Sequence, residues 1–537
     1  MNHKKILSVI IAFVMISTIC IVSVSAINYT SAADDLKSMG LFIGTDKGYE
    51  LEREPTRLES AVMLVRLLGK EEEAKQNNYQ HPFTHVPEWV NFYVGYLYEK
   101  GLTKGVGGNK FGSGLCNTQM FCTFVLRALG YTEDGGDFNY ADAIAFALEL
   151  GLLDENILYN ITPPDYMYDW VAEYEDNPEY VEWLRSLYAL TREYCVAIMY
   201  NALNMKVKGL DMTLIEKLIA ESAVKAEAAA NFIEKNALIA EFQAIMQSLT
   251  NVMITEAMAQ RFSIDIEAID FISGTDYDVD GDIEKMLAEL RLILSMLKEE
   301  DGYTVDDFIA YLEERDADYS YEDFLAGLEE YESLEAYIAQ LESVSAMLEG
   351  MISSESLHTS TMNITVAGED IAIVSTSYGA GYAVYYKDGY IYTETMGQKV
   401  KISLEGMSEE EASETAAALI GIDIFDMENM IEDMLKSLTM SMIGSLSAAS
   451  FGSIDKTETE ENIVFIFNAQ TEIYDDAFYD TISIVIFTLG VAGVNIFTQG
   501  FENGELLYET IINIIFTSGD DITIDFPDFS EYEETMG

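Results

Sequence analysis

The chain has 537 residues, and its 30 Lys and Arg residues against 93 Asp and Glu residues give a formal charge of −63. This acidic balance excludes nucleic acid as a partner, because contact with a phosphate backbone requires a basic surface. Apolar residues make up 49% of the chain, which is enough for a folded core and argues against intrinsic disorder.

The N-terminus has the pattern of a secretory signal. Lys4 and Lys5 precede a long apolar run that ends in the small residues Val24-Ser25-Ala26. The pattern predicts a signal peptide over 1–26, cleaved after the small residues. The run is also long enough for an uncleaved membrane anchor, which is the alternative. The three cysteines that follow are an odd number, so we expect small buried hydrophobes rather than a disulfide framework.

The next part of the chain is built from internal repeats. The segments "MGLFIGTDKGYELEREPTRLESAVMLVRLLG" and "KGLTKGVGGNKFGSGLCNTQMFCTFVLRALG" share five landmarks, each 61 residues apart, among them the pairs Gly40 and Gly101 and Thr56 and Asn117. A looser third copy contains Gly151 and resumes at Thr191 after an acidic, aromatic insertion. Each unit therefore predicts a helix, a Gly-Leu turn, a short loop and a capped second helix.

The start of the second helix carries the candidate chemistry. Thr56 with Glu59 forms a capping-box pattern, and Asn117 and Thr191 hold the same position in their units. Arg57 and Arg192 follow in the first turn, where free N–H groups and the helix dipole favour an anion. A guanidinium there is a bidentate donor for carboxylate or phosphate. The alternative, which the pattern leaves open, is that each arginine pairs with an internal Asp or Glu.

Charge supports an anionic partner for this part. Residues 27–205 contain 13 basic and 27 acidic residues, whereas 206–537 contains 15 and 66. The repeat region is thus far less acidic than the remainder, as expected for a domain that approaches an anion.

The Thr-Arg-Leu-Glu motif, the Gly-Leu turns and the segment "HPFTHVPEWVNFYVGYLYEKGLTKG" resemble the S-layer homology (SLH) repeats of Gram-positive bacteria. The resemblance covers 33–206, as units 33–70, 81–131 and 137–206. It implies an all-α three-repeat helical bundle at the cell surface. It also implies non-covalent binding, in grooves between the repeats, of a secondary cell-wall polysaccharide that is often pyruvylated and therefore anionic. The binding residues it implies are Thr56, Arg57, Trp89, Thr191 and Arg192.

The sequence departs from the family pattern at three positions. Thr118 stands where the second unit should have an arginine, Tyr194 where the third should have a glutamate, and His85 where an aspartate is usual. We therefore expect one or two competent grooves rather than three.

Residues 207–354 predict a helical spacer, because apolar residues recur at three- and four-residue spacing in segments rich in Ala, Glu, Leu and Lys. Asp276, Asp278 and Asp280 match the first ligands of an EF-hand-type calcium loop, but Leu287 occupies the position of the closing carboxylate. A calcium site and a solvated acidic turn are the two interpretations. No cofactor is otherwise required.

Residues 355–532 change to strand patterns, and Asp388-Gly389 predicts a hairpin turn. Strands, then helices, then strands predict an α+β domain with an antiparallel sheet. The order is similar to the LolA/LppX-like lipoprotein fold, which implies a curved sheet closed by helices around an apolar cavity and hence an apolar small ligand. The methionines of the second helix would line such a cavity or pack in an ordinary core; they are Met427, Met430, Met434, Met440 and Met442.

The function predicted from these features is non-covalent anchoring to the cell wall, with display of the C-terminal domain. The chain lacks the Gly-x-Ser-x-Gly, His-Glu-x-x-His and P-loop motifs, so we do not expect an enzyme. The alternative is an SLH-anchored surface enzyme such as a glycan hydrolase, which would use two of the many carboxylates.

Overall fold

The computed structural model describes residues 29–161, 188–257, 261–272, scattered positions between 288 and 341, and 357–535 with short gaps, the longest at 416–426. The predicted signal segment and the three aspartates of the calcium-like loop lie outside the described residues. The described part is α+β, as the sequence predicts.

Short helices make up the described part of the repeat region. They are α1 (Thr30–Ser38), α2 (Arg57–Leu67), α3 (Glu71–Asn77), α4 (Asn91–Glu99), α5 (Thr118–Ala128), α6 (Ala143–Glu149), α7 (Glu155–Ile161) and α8 (Arg192–Asn204). The side chain of Thr56 accepts from the N–H of Glu59, and that of Asn117 from the N–H of Met120. These two predicted caps are confirmed.

The predicted cap at Thr191 is not formed, since its side chain makes no capping hydrogen bond. The reason is that the free N–H groups of α8 have other acceptors. Arg192 N donates to Arg53 O and Glu193 N to Leu51 O, both at 2.9 Å. Two carbonyl groups in a loop of the first unit thus replace the side-chain cap.

The same loop contact occurs twice. Arg57 N donates to Gly114 O at 2.9 Å, just as Arg192 N donates to Arg53 O. Arg53 and Gly114 are 61 residues apart, so they hold equivalent positions in two units. Each of these helices therefore begins against the loop of another unit. Helix α5 contacts both α2 and α8, which brings the three second helices together.

Helices α9 (Leu214–Ala220) and α10 (Ala230–Ala257) lead to a large sheet. Its strand order is β12-β6-β5-β4-β3-β2-β1-β11-β10-β9-β8-β7. All neighbours are antiparallel except β12, which is parallel to β6. The strands are β1 (Arg261–Ile272), β2 (Leu357–Ala367), β3 (Asp370–Ser377), β4 (Ala380–Lys387), β5 (Tyr390–Thr395), β6 (Gln398–Ser403), β7 (Ser453–Glu458), β8 (Asn462–Ile473), β9 (Asp476–Phe487), β10 (Ala492–Glu502), β11 (Glu505–Ser518) and β12 (Glu533–Thr535).

Strand β1 corrects the prediction of an uninterrupted helical spacer over 207–354. It lies in the middle of the sheet, between β2 and β11. Phe262, Ile264 and Ile266 are buried on one face, while Ser263 and Asp265 alternate with them. This two-residue period is that of a strand, and the prediction missed it because long helical patterns flank the segment.

The predicted hairpin at Asp388-Gly389 is confirmed. Both residues have positive φ, 52° and 79°, and they connect β4 to β5. Positive φ at both central positions is the requirement of a type I′ turn, whose twist matches that of the strands.

Helix α10 packs lengthwise on the sheet and against α11 (Met427–Ser445). By length and composition α10 could cross a membrane, but core helices meet the same criterion. Here its buried residues recur every three or four positions, which gives one face against the protein. They are Phe232, Lys235, Ile239, Phe242, Met246, Thr250, Met253 and Ala257.

One apolar core continues from the repeat region into the sheet. At the junction, buried Lys235 of α10 forms an ion pair of 2.6 Å with Asp35 of α1 and donates to Phe451 O at 2.6 Å. Of the methionines proposed to line a cavity, Met434 is half-buried and Met440 is 61% exposed, so Met440 does not line an enclosed cavity. The side chains of the other three lie outside the described part.

Candidate anion-binding site

A cleft of about 250 Å³, here called the first cleft, is built from all three units. The loop after α1 supplies one wall, α2 the floor, the start of α4 the rim, and α8 a single arginine. The residues that line it are Phe42, Gly44, Thr45, Glu59, Val62, Met63, Arg66, Trp89, Tyr93 and Arg192. Two residues predicted for polysaccharide binding, Trp89 and Arg192, therefore meet in one cavity.

Arg192 is held rigidly in this cleft. Its side chain is 3% exposed, Nε donates to Tyr49 O at 2.8 Å, and the guanidinium lies 5.2 Å from the centre of the Phe42 ring. Burial lowers its pKa, and so does the nearby charge of Arg53. Among the described residues, the hydrogen bond to Tyr49 uses only Nε, and Nη1 lies 3.9 Å from Glu59 Oε1.

Glu59 also lines the first cleft, but its charge is balanced by another arginine. Arg53 Nη2 lies 2.6 Å from Glu59 Oε1, whereas Arg192 Nη1 is 3.9 Å away. Burial by itself would raise the pKa of Glu59, but the hydrogen bonds from Arg53 and Thr56 outweigh it and lower that pKa to about 2. The carboxylate is thus ionised, Arg53 is its nearer partner, and its ion pair with Arg192 is the longer of the two.

The other cation of the first cleft is similarly occupied. Arg66 forms an ion pair of 3.0 Å with Glu71, and Glu71 also accepts a hydrogen bond from the hydroxyl of Tyr93. Arg192 is therefore the arginine of this cleft with the weakest carboxylate partner among the described residues.

Trp89 lies at the rim, on a 3₁₀ turn (Glu88–Val90) that precedes α4. Its side chain is 54% exposed, which is unusual for so large an apolar group. An exposed aromatic ring beside a buried cation forms a flat apolar surface next to a charged donor. That combination suits a ligand with one flat face and one anionic group.

Arg57 is held at a second position in the repeat region by contacts of the same kind as those of Arg192. Its side chain is 7% exposed, Nε donates to Phe111 O at 2.8 Å, and its guanidinium lies 5.1 Å from the Phe111 ring and 4.6 Å from the Phe124 ring. These contacts repeat those that Arg192 makes with Tyr49 and Phe42. Within the described residues Arg57 has no ion pair with a carboxylate, and burial lowers its pKa.

Tyr140 lies near Arg57, and the sequence analysis did not identify it. It begins a 3₁₀ turn (Tyr140–Asp142) before α6, as Trp89 lies on the turn before α4, and it is 45% exposed. It is close enough to Arg57 to act on the charge of the guanidinium. The signal that could have revealed it is its place before the first helix of the third unit.

The two threonines predicted to bind polysaccharide, Thr56 and Thr191, do not line the first cleft. Thr56 Oγ1 is engaged with Glu59 in the capping box, and Thr191 Oγ1 is buried without a hydrogen-bond partner among the described residues. Thr56 therefore acts through the helix start that positions Arg57, whereas the side chain of Thr191 makes no such contact. Thr118, which replaces the arginine of the second unit, is 8% exposed and offers no charge.

The described residues include no cluster of three or more His, Cys, Asp or Glu side chains that could hold a metal ion. Asp276, Asp278 and Asp280 are not among them, so the calcium interpretation stays a prediction. A further cavity of about 320 Å³ next to α6 is lined by Asp137, Asp142 and Glu149 and would repel an anion. No family model matches the chain, and no curated protein sequence matches it significantly.

Proposed function

We propose that the repeat region attaches the protein non-covalently to the cell wall by binding an anionic secondary polysaccharide, as the resemblance to SLH repeats implies. The observation that carries the proposal is the meeting of Arg192 and Trp89 in one cleft built from three units. The arginine would bind the acidic group, such as the carboxylate of a pyruvyl substituent, and the tryptophan would pack against the adjacent sugar ring.

Two features favour this assignment over internal ion pairing. The charge of Glu59 is taken by Arg53, and Arg57 has no carboxylate partner within the described residues. Two equivalent arginines beside exposed aromatic rings, Trp89 and Tyr140, also agree with the expectation of one or two competent grooves. The predicted signal peptide would bring the protein to the wall.

The proposal is tested by co-sedimentation of the chain without 1–26 with purified walls, either intact or stripped of the secondary polysaccharide. Binding should be lost with the polymer. Arg192→Ala and Arg57→Ala should each weaken binding by about 1.5–3 kcal/mol, because each removes a charge-assisted hydrogen bond from a desolvated site. Equal sedimentation with stripped walls would overturn the proposal.

A matched control separates binding from folding. Arg127 is 8% exposed and thus nearly as buried as Arg57, but its charge is paired with Glu133, and it does not line the first cleft. Arg127→Ala should therefore lower thermal stability without lowering the affinity of the folded fraction. If it weakens wall binding as much as Arg192→Ala does, the clefts are not the binding site.

We also propose that the C-terminal α+β part carries an apolar small ligand, as its similarity to the LolA/LppX-like fold implies. The half-buried Met434 of α11 packs beside the core and could contact such a ligand. Organic extraction of the purified protein followed by mass spectrometry tests this proposal. Recovery of no lipid from protein prepared without delipidating steps would contradict it.

A further inference from the structure

The last residues of the chain cross the sheet as a strap. After β11 ends at Ser518, Gly519 N donates to Arg261 O at 3.2 Å and Arg261 Nη1 donates to Ile522 O at 3.0 Å, both on β1. The chain then passes β4 and β5 and ends as β12, parallel to the edge strand β6. We call residues 519–535 the C-terminal strap.

The surface beneath the strap is a cationic, aromatic face on β4, β5 and β6. The strand register pairs Tyr385 with Tyr392 and Tyr392 with Lys401, so their side chains lie on one side of the sheet. The alternate residues Val384 and Ile391 are fully buried on the other side. The tyrosine-lysine face consists of Tyr385, Lys387, Tyr390, Tyr392, Lys399 and Lys401, with one carboxylate, Glu394, opposite Lys399 on the same side.

Its three lysines outnumber Glu394, which accepts a hydrogen bond from the hydroxyl of Tyr532, so the face keeps an excess of positive charge. Only 15 basic residues occur in 206–537, against 66 acidic ones, and three of the 15 belong to this face. The strap has the opposite charge, with seven Asp and Glu residues and no Lys or Arg. Strap and face are therefore complementary in charge, within a chain that is otherwise strongly acidic.

Aromatic and ionic contacts hold the strap. The ring of Phe529 stacks on Tyr392 with 3.6 Å between centroids, and Lys387 Nζ lies 4.1 Å from the centre of the Phe526 ring. Glu531 forms an ion pair of 2.7 Å with Lys399. The aromatic anchors Phe526, Phe529 and Tyr532 follow one another every three residues.

Backbone pairing holds the strap over a short stretch only. Backbone pairing with β6 is limited to the three residues of β12, and Asp521, Asp525 and Asp528 are exposed. Gly519, at the start, has φ of +152°, a conformation that favours glycine and suits a hinge. Such a segment binds as an extended peptide does, through side-chain anchors and edge pairing.

We propose that the tyrosine-lysine face is a docking site for an extended acidic peptide with aromatic anchors, and that the strap of a second copy of this chain is the partner it takes. The aromatic and ionic contacts described above come from 519–535, so the strap of another copy offers the same contacts. A copy's own strap has an effective concentration of the order of millimolar. Exchange between copies therefore requires crowding, as on a surface, and it would join copies by swapped straps.

A complementation experiment tests this inference. The acceptor variant ends at Ser518 and has an open face; the donor variant carries Lys387→Glu, Lys399→Glu and Lys401→Glu and has a displaced strap. Sedimentation velocity at low salt should show each variant alone as a monomer and the mixture as a one-to-one heterodimer. Excess synthetic peptide of residues 519–537 should dissociate it, and Phe529→Ser in the donor should prevent it.

Two controls keep the result interpretable. Lys436→Glu in the acceptor changes an exposed lysine of α11 whose described ion pair is with Glu432 rather than with the strap, and it should leave the heterodimer intact. If the acceptor does not fold, a protease site is introduced between Asp520 and Asp521, and the folded protein is cut there. Labelled peptide 519–537 should then exchange into the cut protein. A mixture that stays monomeric, dimers formed by either variant alone, or cut protein that takes up no peptide would each overturn the inference.

Discussion

The ion pair between Lys235 and Asp35 offers a quantitative test of how the repeat region is joined to the sheet. Both groups are buried, with exposures of 2% and 7%, and their charged atoms are 2.6 Å apart. Lys235 also donates to Phe451 O, and Asn231 Nδ2 donates to Asp35 Oδ1 at 2.8 Å. The substitution Lys235→Met keeps the aliphatic volume and removes the charge.

The expected loss of stability follows from the buried polar groups that each substitution leaves without a partner. In Lys235→Met, the Asp35 carboxylate keeps Asn231 and the nearby hydroxyl of Tyr200 but loses its cation, and the carbonyl of Phe451 loses its buried donor. Removing one partner of a buried pair costs about 3–5 kcal/mol, because an uncompensated charge remains. Asp35→Asn should cost a similar amount. The double variant removes both charges, so it should be less destabilised than the sum of the single variants by about 0.5–3 kcal/mol.

Urea denaturation followed by two signals measures this cycle. All three tryptophans lie between 89 and 183, so their fluorescence reports on the repeat region, whereas circular dichroism also reports on the sheet. In the single variants the fluorescence midpoint should fall. Single variants that cost less than about 1 kcal/mol, or strictly additive costs in the double variant, would refute the reasoning.

Two further predictions concern the repeat region. The pKa of Glu59 is lowered to about 2, so the contribution of this carboxylate to stability is present above about pH 4.5 and is lost as the pH falls from 4.5 to 2. Glu59→Gln should therefore lower the free energy of unfolding by about 2–3 kcal/mol at pH 7 and weaken the pH dependence of stability between pH 4.5 and 2. A constant difference between Glu59→Gln and the parent from pH 7 to pH 2 would contradict this. Gly95→Ala should cost about 1–3 kcal/mol in thermal unfolding, because the added Cβ would lie 2.1 Å from Tyr79 O. Gly114→Ala, where the added carbon meets nothing within 4 Å, is the control, and equal effects of the two would contradict the packing argument.

Local features were predictable from the sequence because they depend on residues a few positions apart. The capping box at Thr56 involves a residue three positions on, and the turn at Asp388-Gly389 needs only two residues of suitable φ. The order of strands, helices and strands predicted the α+β class. The positions of Arg57 and Arg192 at helix starts followed from the repeat.

Only the tertiary structure decided which residues distant in the sequence contact one another. Trp89 and Arg192 are 103 residues apart, and nothing in their spacing shows that they meet in one cleft. The partner of Glu59 is Arg53 rather than Arg192, a difference of 1.3 Å in ion-pair distance. Strand β1 was missed because its neighbours in the sheet come from 357–367 and 505–518. Periodicity and caps are set within a few residues, whereas the choice among distant partners depends on which surfaces packing brings together.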